Sequence, residues 1–320
     1  MGNNQINHQI SNSLTRRGLL SNAVRVGVLG VGALTVSRVL SACGGSSSSG
    51  GLSSSGGSLV PGSNLSGVAG PISPSMSLIQ RWVPDQLTPG YVRLPISLAD
   101  DAGLLNAGPD VLTGRIINYL DNSVVADNLV AERLSIGEGT PPFWVFTATL
   151  NEANVYAIVV DGGPEEGAAL QIRDGEFMPV PRVGQQLPAI ETPTVDNSRG
   201  VEVICTRTPE PCPFHEFTLA EALASGKRVV ALVGTPAHCQ TAVCAPVLES
   251  LIDVQANYPD VVFVHIDVYA DTAATVVAPS VGELSLTFEP VLWITDTAGT
   301  ITQRFDAVWH QSEVIAALDV

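Results

Sequence analysis

Two thiols, Cys239 and Cys244, stand five residues apart beside an imidazole, His238. A thiol at the start of a helix meets free backbone N–H groups that favour its thiolate and make it nucleophilic at neutral pH. With Cys239 attacking and Cys244 resolving, the chemistry expected of such a pair is thiol–disulfide exchange. His238, when protonated, would stabilise the attacking sulfur. Two further thiols, Cys205 and Cys212, bracket the string Thr-Arg-Thr-Pro-Glu-Pro. A loop that short is readily closed by a structural disulfide, which contributes about 2–3 kcal/mol. His215 follows at a C-x6-C-x2-H spacing that suits zinc, but no fourth ligand is visible, so neither metal nor cofactor is expected.

These residues need positioning elements. Val229 to Val233 is a short apolar run that fits a buried strand. From Gln240 to about Asn257, Val243, Val247, Leu248 and Leu251 fall on one helical face, so Cys239 lies at a strand-to-helix junction. Strands are expected at Val261 to Asp267, Val291 to Asp296 and Thr300 to Phe305, and a last helix at His310 to Leu318. The order is βαβ followed by ββα.

This order resembles the thioredoxin fold, in which helices cover both faces of a central sheet. Phe288-Glu289-Pro290-Val291 also places a proline where that family carries its cis-proline, before a central strand and facing the reactive cysteine. The resemblance implies an active site of Cys239, Cys244, His238 and Pro290 that exchanges disulfides with envelope proteins. The spacing departs from the family's C-x2-C. Residues five apart in a helix are separated by about 7.5 Å of rise, too far for a disulfide, so Cys239 must lie outside the helix or the first turn must unwind.

Three other readings compete. The C-x4-C spacing is similar to a subgroup of peroxiredoxins, which implies a thiol peroxidase, with Arg304 the only arginine left to assist. Two thiolates with a distal imidazole, His310 or His265, resemble the Sco-type copper assembly proteins. A non-catalytic thioredoxin-like binding domain, with Cys239 and Cys244 as a staple, is the fourth possibility.

The first 42 residues read as a targeting segment. Arg16-Arg17 before a mildly apolar stretch resembles a twin-arginine export signal, and Leu40-Ser41-Ala42-Cys43 resembles a lipoprotein lipobox. Both imply an exported protein, lipid-anchored through Cys43 in the cell envelope. Taking Cys43 for the lipid leaves four cysteines of five, an even set in an oxidising compartment. Residues 43–75, rich in Gly and Ser, read as a flexible tether. Beyond residue 42 the chain holds 11 basic side chains against 31 acidic ones. That balance repels nucleic acid and argues against it as a partner.

Residues 76–187 carry β signals: Val92 to Leu98, Val111 to Tyr119, Pro142 to Leu150, Val155 to Asp161 and Ala168 to Asp174, separated by turn-forming strings. The expected architecture is thus an all-β sandwich with an entry resembling an immunoglobulin-like domain, followed by an α/β thioredoxin-like domain over 188–320.

Overall fold

The computed structural model describes residues 72–320. The expected export signal, the lipid site at Cys43 and nearly all of the tether lie outside the described residues. Among the described residues no helix is long and apolar enough to cross a membrane.

Eight antiparallel strands form the first domain: β1 Ser77–Gln80, β2 Gly90–Asp100, β3 Gly103–Leu104, β4 Val111–Asn118, β5 Val124–Leu134, β6 Phe143–Leu150, β7 Val155–Val160 and β8 Ala168–Gln171. They lie in one sheet of order β1-β2-β6-β5-β4-β7-β8, with β3 on β2. This corrects the expected two-sheet sandwich, because the sheet curls into a nearly closed barrel. Gln80 Nε2 donates to the Ala169 carbonyl at 2.6 Å, which brings the two end strands together. The corner between β5 and β6 is held only by the pairs Arg133–Trp144 and Leu134–Phe143. Val92, Leu94, Ile96 and Leu98 of β2 point inwards with Ile116 of β4, Phe146 of β6 and Ile158 of β7, so these strands each bury one apolar face. Trp144 fills the interior and donates its indole N–H to the Pro109 carbonyl at 3.1 Å. Gly108 makes room for that ring, since a Cβ there would stand 2.5 Å from it.

The second domain contains α1 Leu219–Ala224, β9 Arg228–Val233, α2 Cys244–Gln255, β10 Val261–Ile266, α3 Pro279–Glu283, β11 Val291–Thr295, β12 Ile301–Asp306 and α4 Gln311–Leu318. The sheet order is β10-β9-β11-β12, with β10 parallel to β9 and the other pairs antiparallel. Alternate residues of β9 serve opposite layers. Val230 and Leu232 pack with Leu248 and Leu251 of α2 and Val314 of α4, while Val229, Ala231 and Val233 pack with Leu219 of α1 and Val281 of α3. Burial on both faces explains why β9 and β11 read as continuous apolar runs rather than as alternating ones.

The proline-rich stretch between the domains is packed. Val180, Leu187 and Ile190 are buried on the α1 and α3 face, and the Trp293 indole N–H donates to the Pro181 carbonyl at 3.0 Å. The two domains also share an ion pair. Arg93 of β2 reaches Glu313 of α4 through two contacts of 2.7 Å, with the side chains 11% and 20% exposed. The same carboxylate caps α4 through the His310 N–H.

Removing the Arg93 guanidinium leaves a largely dehydrated carboxylate without its partner. Arg93→Ala is expected to lower the unfolding free energy by about 1–3 kcal/mol in denaturant titration. In a double-mutant cycle with Glu313→Gln, which keeps the cap acceptor, a coupling under about 0.3 kcal/mol would show that the pair contributes nothing.

Candidate metal centre

The segment between the domains brings Cys205, Cys212 and His215 under the carboxyl ends of β9 and β10. Its loop is held by Arg207, which contacts Glu249 of α2 through Nε at 2.6 Å and Nη2 at 3.1 Å and donates through Nη1 to the Glu210 carbonyl at 3.1 Å. Thr206 donates its N–H and its hydroxyl to Asp267 Oδ2, each at 2.7 Å, fastening the loop to the residue after β10. The His265 N–H donates to the Phe214 carbonyl at 3.0 Å, which lays the following segment along β10.

The result is a group of four side chains, Cys205, Cys212, His215 and His265, whose ligand atoms all lie within 4.8 Å of one another. All four are buried, and both cysteines are free thiols. His265 Nδ1 stands 3.5 Å from Cys205 Sγ, 3.4 Å from Cys212 Sγ and 3.2 Å from His215 Nε2. Its other nitrogen, Nε2, lies 2.9 Å from the Gly234 carbonyl. A carbonyl only accepts, so Nε2 carries the proton and Nδ1 presents its lone pair to the centre. That outer hydrogen bond is the kind that orients a metal-binding imidazole. His215 lacks one, because its buried Nδ1 has no partner.

Hydrogen bonding does not account for this convergence. A neutral Nδ1 has one in-plane lone pair and accepts from one donor, yet three atoms crowd it. A cation at the centre serves all four groups at once. Bonds of about 2.3 Å to sulfur and 2.05 Å to nitrogen in a tetrahedron imply separations of about 3.6 Å between S and N and about 3.3 Å between N and N. The observed 3.4, 3.5 and 3.2 Å match that frame. The Cys205 thiol is held well below its ordinary range, chiefly by the thiol that Cys212 donates to it and further by the two imidazoles, while the same contact and burial push Cys212 up. Burial alone would lower His265, but the Cys205 sulfur, the Asp267 charge and the Gly234 carbonyl together outweigh it and the imidazole is raised.

This group overturns the reading of the chain as a thiol–disulfide oxidoreductase with envelope proteins as partners. The deepest set of reactive side chains is a metal-binding type of cluster, not a dithiol poised for exchange. His265, read from sequence as a distal copper ligand, instead completes the C-x6-C-x2-H string whose fourth member was missing. The other imidazole considered, His310, caps α4, with Nδ1 accepting from the Ser312 N–H at 3.2 Å.

Cys239 and Cys244 lie across Gly234 from this centre. Helix α2 begins only at Cys244, so Cys239 sits outside it in a turn where Ala242 has φ +55°. The two sulfurs are 2.7 Å apart, and the Cys244 N–H donates to Cys239 Sγ at 3.4 Å. Glu289, before a cis Pro290, completes a second group with its Oε2 at 3.4 Å from Cys244 Sγ. Burial pushes its carboxyl up to about 7, helped by the charge at Cys239. His238 is not among the groups acting on Cys239; its ring stands edge-on to Tyr269 at 5.9 Å. Arg304, needed by the peroxidase reading, is engaged by Asp306 at 2.9 and 2.8 Å, by Gln86 and by the Pro181 carbonyl.

Comparison of the chain with protein-family models, with curated proteins and with solved structures finds no match.

The Cys239 thiol is lowered to about 5, first by the thiol donated from Cys244, then by the Thr241 hydroxyl and the N–H groups of Cys244 and Val243. In reduced, metal-stripped protein, iodoacetamide should therefore modify Cys239 ahead of Cys205, Cys212 and Cys244. Peptide mass spectrometry across pH should place half the plateau rate near pH 5; a midpoint near pH 9, the ordinary thiol value, would contradict the contacts described.

Proposed function

We propose that this chain is a zinc-binding protein whose Cys205, Cys212, His215 and His265 hold one tetrahedral ion. The observation that carries the reading is the convergence of two sulfurs and the His215 imidazole on the single lone pair of His265 Nδ1. Two thiolates and two imidazoles form a borderline-soft donor set that suits Zn2+. Four protein ligands, all buried, leave no position for substrate, and that is the character of a structural rather than a catalytic ion. The ion would tie the interdomain loop to β10. On this reading Cys205 and Cys212 serve as ligands instead of the disulfide expected from their loop.

Three finer readings accompany this proposal. The order β10-β9-β11-β12 with β11 antiparallel to β9, together with the cis proline before β11, supports a thioredoxin-like fold for the second domain. Export and a lipid anchor at Cys43 rest on the arginine pair and the lipobox-like string alone. An ion closing this loop suits a non-catalytic thioredoxin-like module held in the cell envelope.

Purified full-length protein should carry a tightly held zinc equivalent that Cys212→Ser removes, read by elemental mass spectrometry. Cobalt exchanged into the wild type should show tetrahedral d–d bands with thiolate-to-cobalt charge transfer. An ion at 100 times its dissociation constant stabilises by about 2.7 kcal/mol. Chelation should then lower the thermal midpoint by roughly 5–10 °C in a fold of this size. Cobalt bands typical of octahedral oxygen ligation, or a zinc content indifferent to Cys212→Ser, would end the proposal.

A further inference from the structure

Cys239, Cys244 and Glu289 also bring three donor atoms within 4.8 Å of one another. Cys244 is buried, and Cys239 and Glu289 are half-buried at the rim. We propose that these three residues hold a second zinc ion, whose fourth position opens towards the adjoining cavity.

The site lacks a positive charge of its own. None of the seven ion pairs among the described residues includes Glu289. Two thiols and a carboxylate gathered at partial burial form an anionic set once ionised, and in low dielectric such a set is stabilised by a bound cation. The donors are also oriented from behind. The Thr235 N–H holds Glu289 Oε2 at 2.9 Å, while Cys239 Sγ takes the Cys244 N–H and lies 3.3 Å from the Thr241 hydroxyl. Outer hydrogen bonds of this kind set ligand direction.

Two sulfurs on one tetrahedral ion stand about 3.8 Å apart. The observed 2.7 Å therefore widens by about 1 Å on loading. Cys244 belongs to α2 and stays with it, whereas Cys239 lies in the preceding turn and moves. The carboxylate selects the ion: a harder donor in place of the imidazole that copper was expected to find favours Zn2+ over Cu(I).

Three protein ligands on zinc leave room for water or an exogenous donor, unlike the closed set around His265. Of the three ligands, Glu289 reaches an adjoining cavity of about 320 Å³, lined also by Gln240, Thr241, Tyr269, Val281 and Phe288. Its mixed apolar and hydroxyl-bearing wall leaves space for a small exogenous donor on the ion.

The test is metal content and cobalt spectroscopy on the full chain under reductant. Wild type should bind two zinc equivalents. Cys239→Ser should bind one, and Glu289→Gln should weaken the second at least tenfold. Azide should shift the cobalt spectrum of the wild type and leave that of Cys239→Ser unchanged. A single equivalent in reduced wild type, or a second that survives Cys239→Ser, would overturn the proposal. If that single equivalent is lost in Cys212→Ser, the buried centre stands and only the open one falls; if no equivalent is held tightly, both fall.

Discussion

The hydrogen bond from His265 Nε2 to the Gly234 carbonyl organises the second domain. It decides which nitrogen carries the proton, and thereby turns the Nδ1 lone pair toward Cys205, Cys212 and His215. It also ties the ends of two parallel strands to one point, because Gly234 follows β9 and its N–H donates to the Ile266 carbonyl of β10 at 3.2 Å. On the other side of Gly234 an added Cβ would stand 3.5 Å from both Cys244 Sγ and Pro290. The two thiol groups are thus back to back across one residue at the carboxyl ends of the strands, where open α/β sheets place their ligands.

Electrostatics bears on why these groups form candidate cation sites. The chain is strongly acidic, and seven of the ten arginines among the described residues are engaged in ion pairs with carboxylates. Around the buried centre the positive charge of the protein itself comes from the imidazoles and from Arg207, which is already paired with Glu249. Thiolates removed from water without a counter-charge are costly. A divalent ion at this candidate site would offset that cost and satisfy four ligand directions together.

The connection between the domains follows another economy of groups. Glu313 accepts the His310 N–H at the start of α4 and pairs with Arg93 from the barrel. Arg93 also lies 5.5 Å over the ring of Phe305 in β12. One carboxylate therefore ends a helix and fastens it to the neighbouring domain. Phe143, from the barrel's β6, belongs to the apolar cluster of α2 and α4, so the same contact is sealed by burial as well as charge.

The sequence by itself determined the local elements. The apolar runs of β9, β10 and β11, the proline ahead of β11 and the strands β2, β4, β6, β7 and β8 were legible because burial writes a regular pattern into neighbouring residues. β5 was not legible: most of its side chains are exposed, so no alternation marks it. The sandwich was misjudged because closure depends on how β5 meets β6 and how β1 meets β8, and spacing between strands carries no trace of either. Three of the four residues of the buried centre were visible as C-x6-C-x2-H. The fourth was hidden because His265 lies 50 residues beyond His215, in a strand buried on both faces where every position looks like core. Only the pairing of β10 beside β9, with the loop laid across their ends, brings that imidazole to the sulfurs. Local spacing reports what a helix or strand does with its own neighbours, and tertiary packing alone decides which distant lone pairs share a point in space.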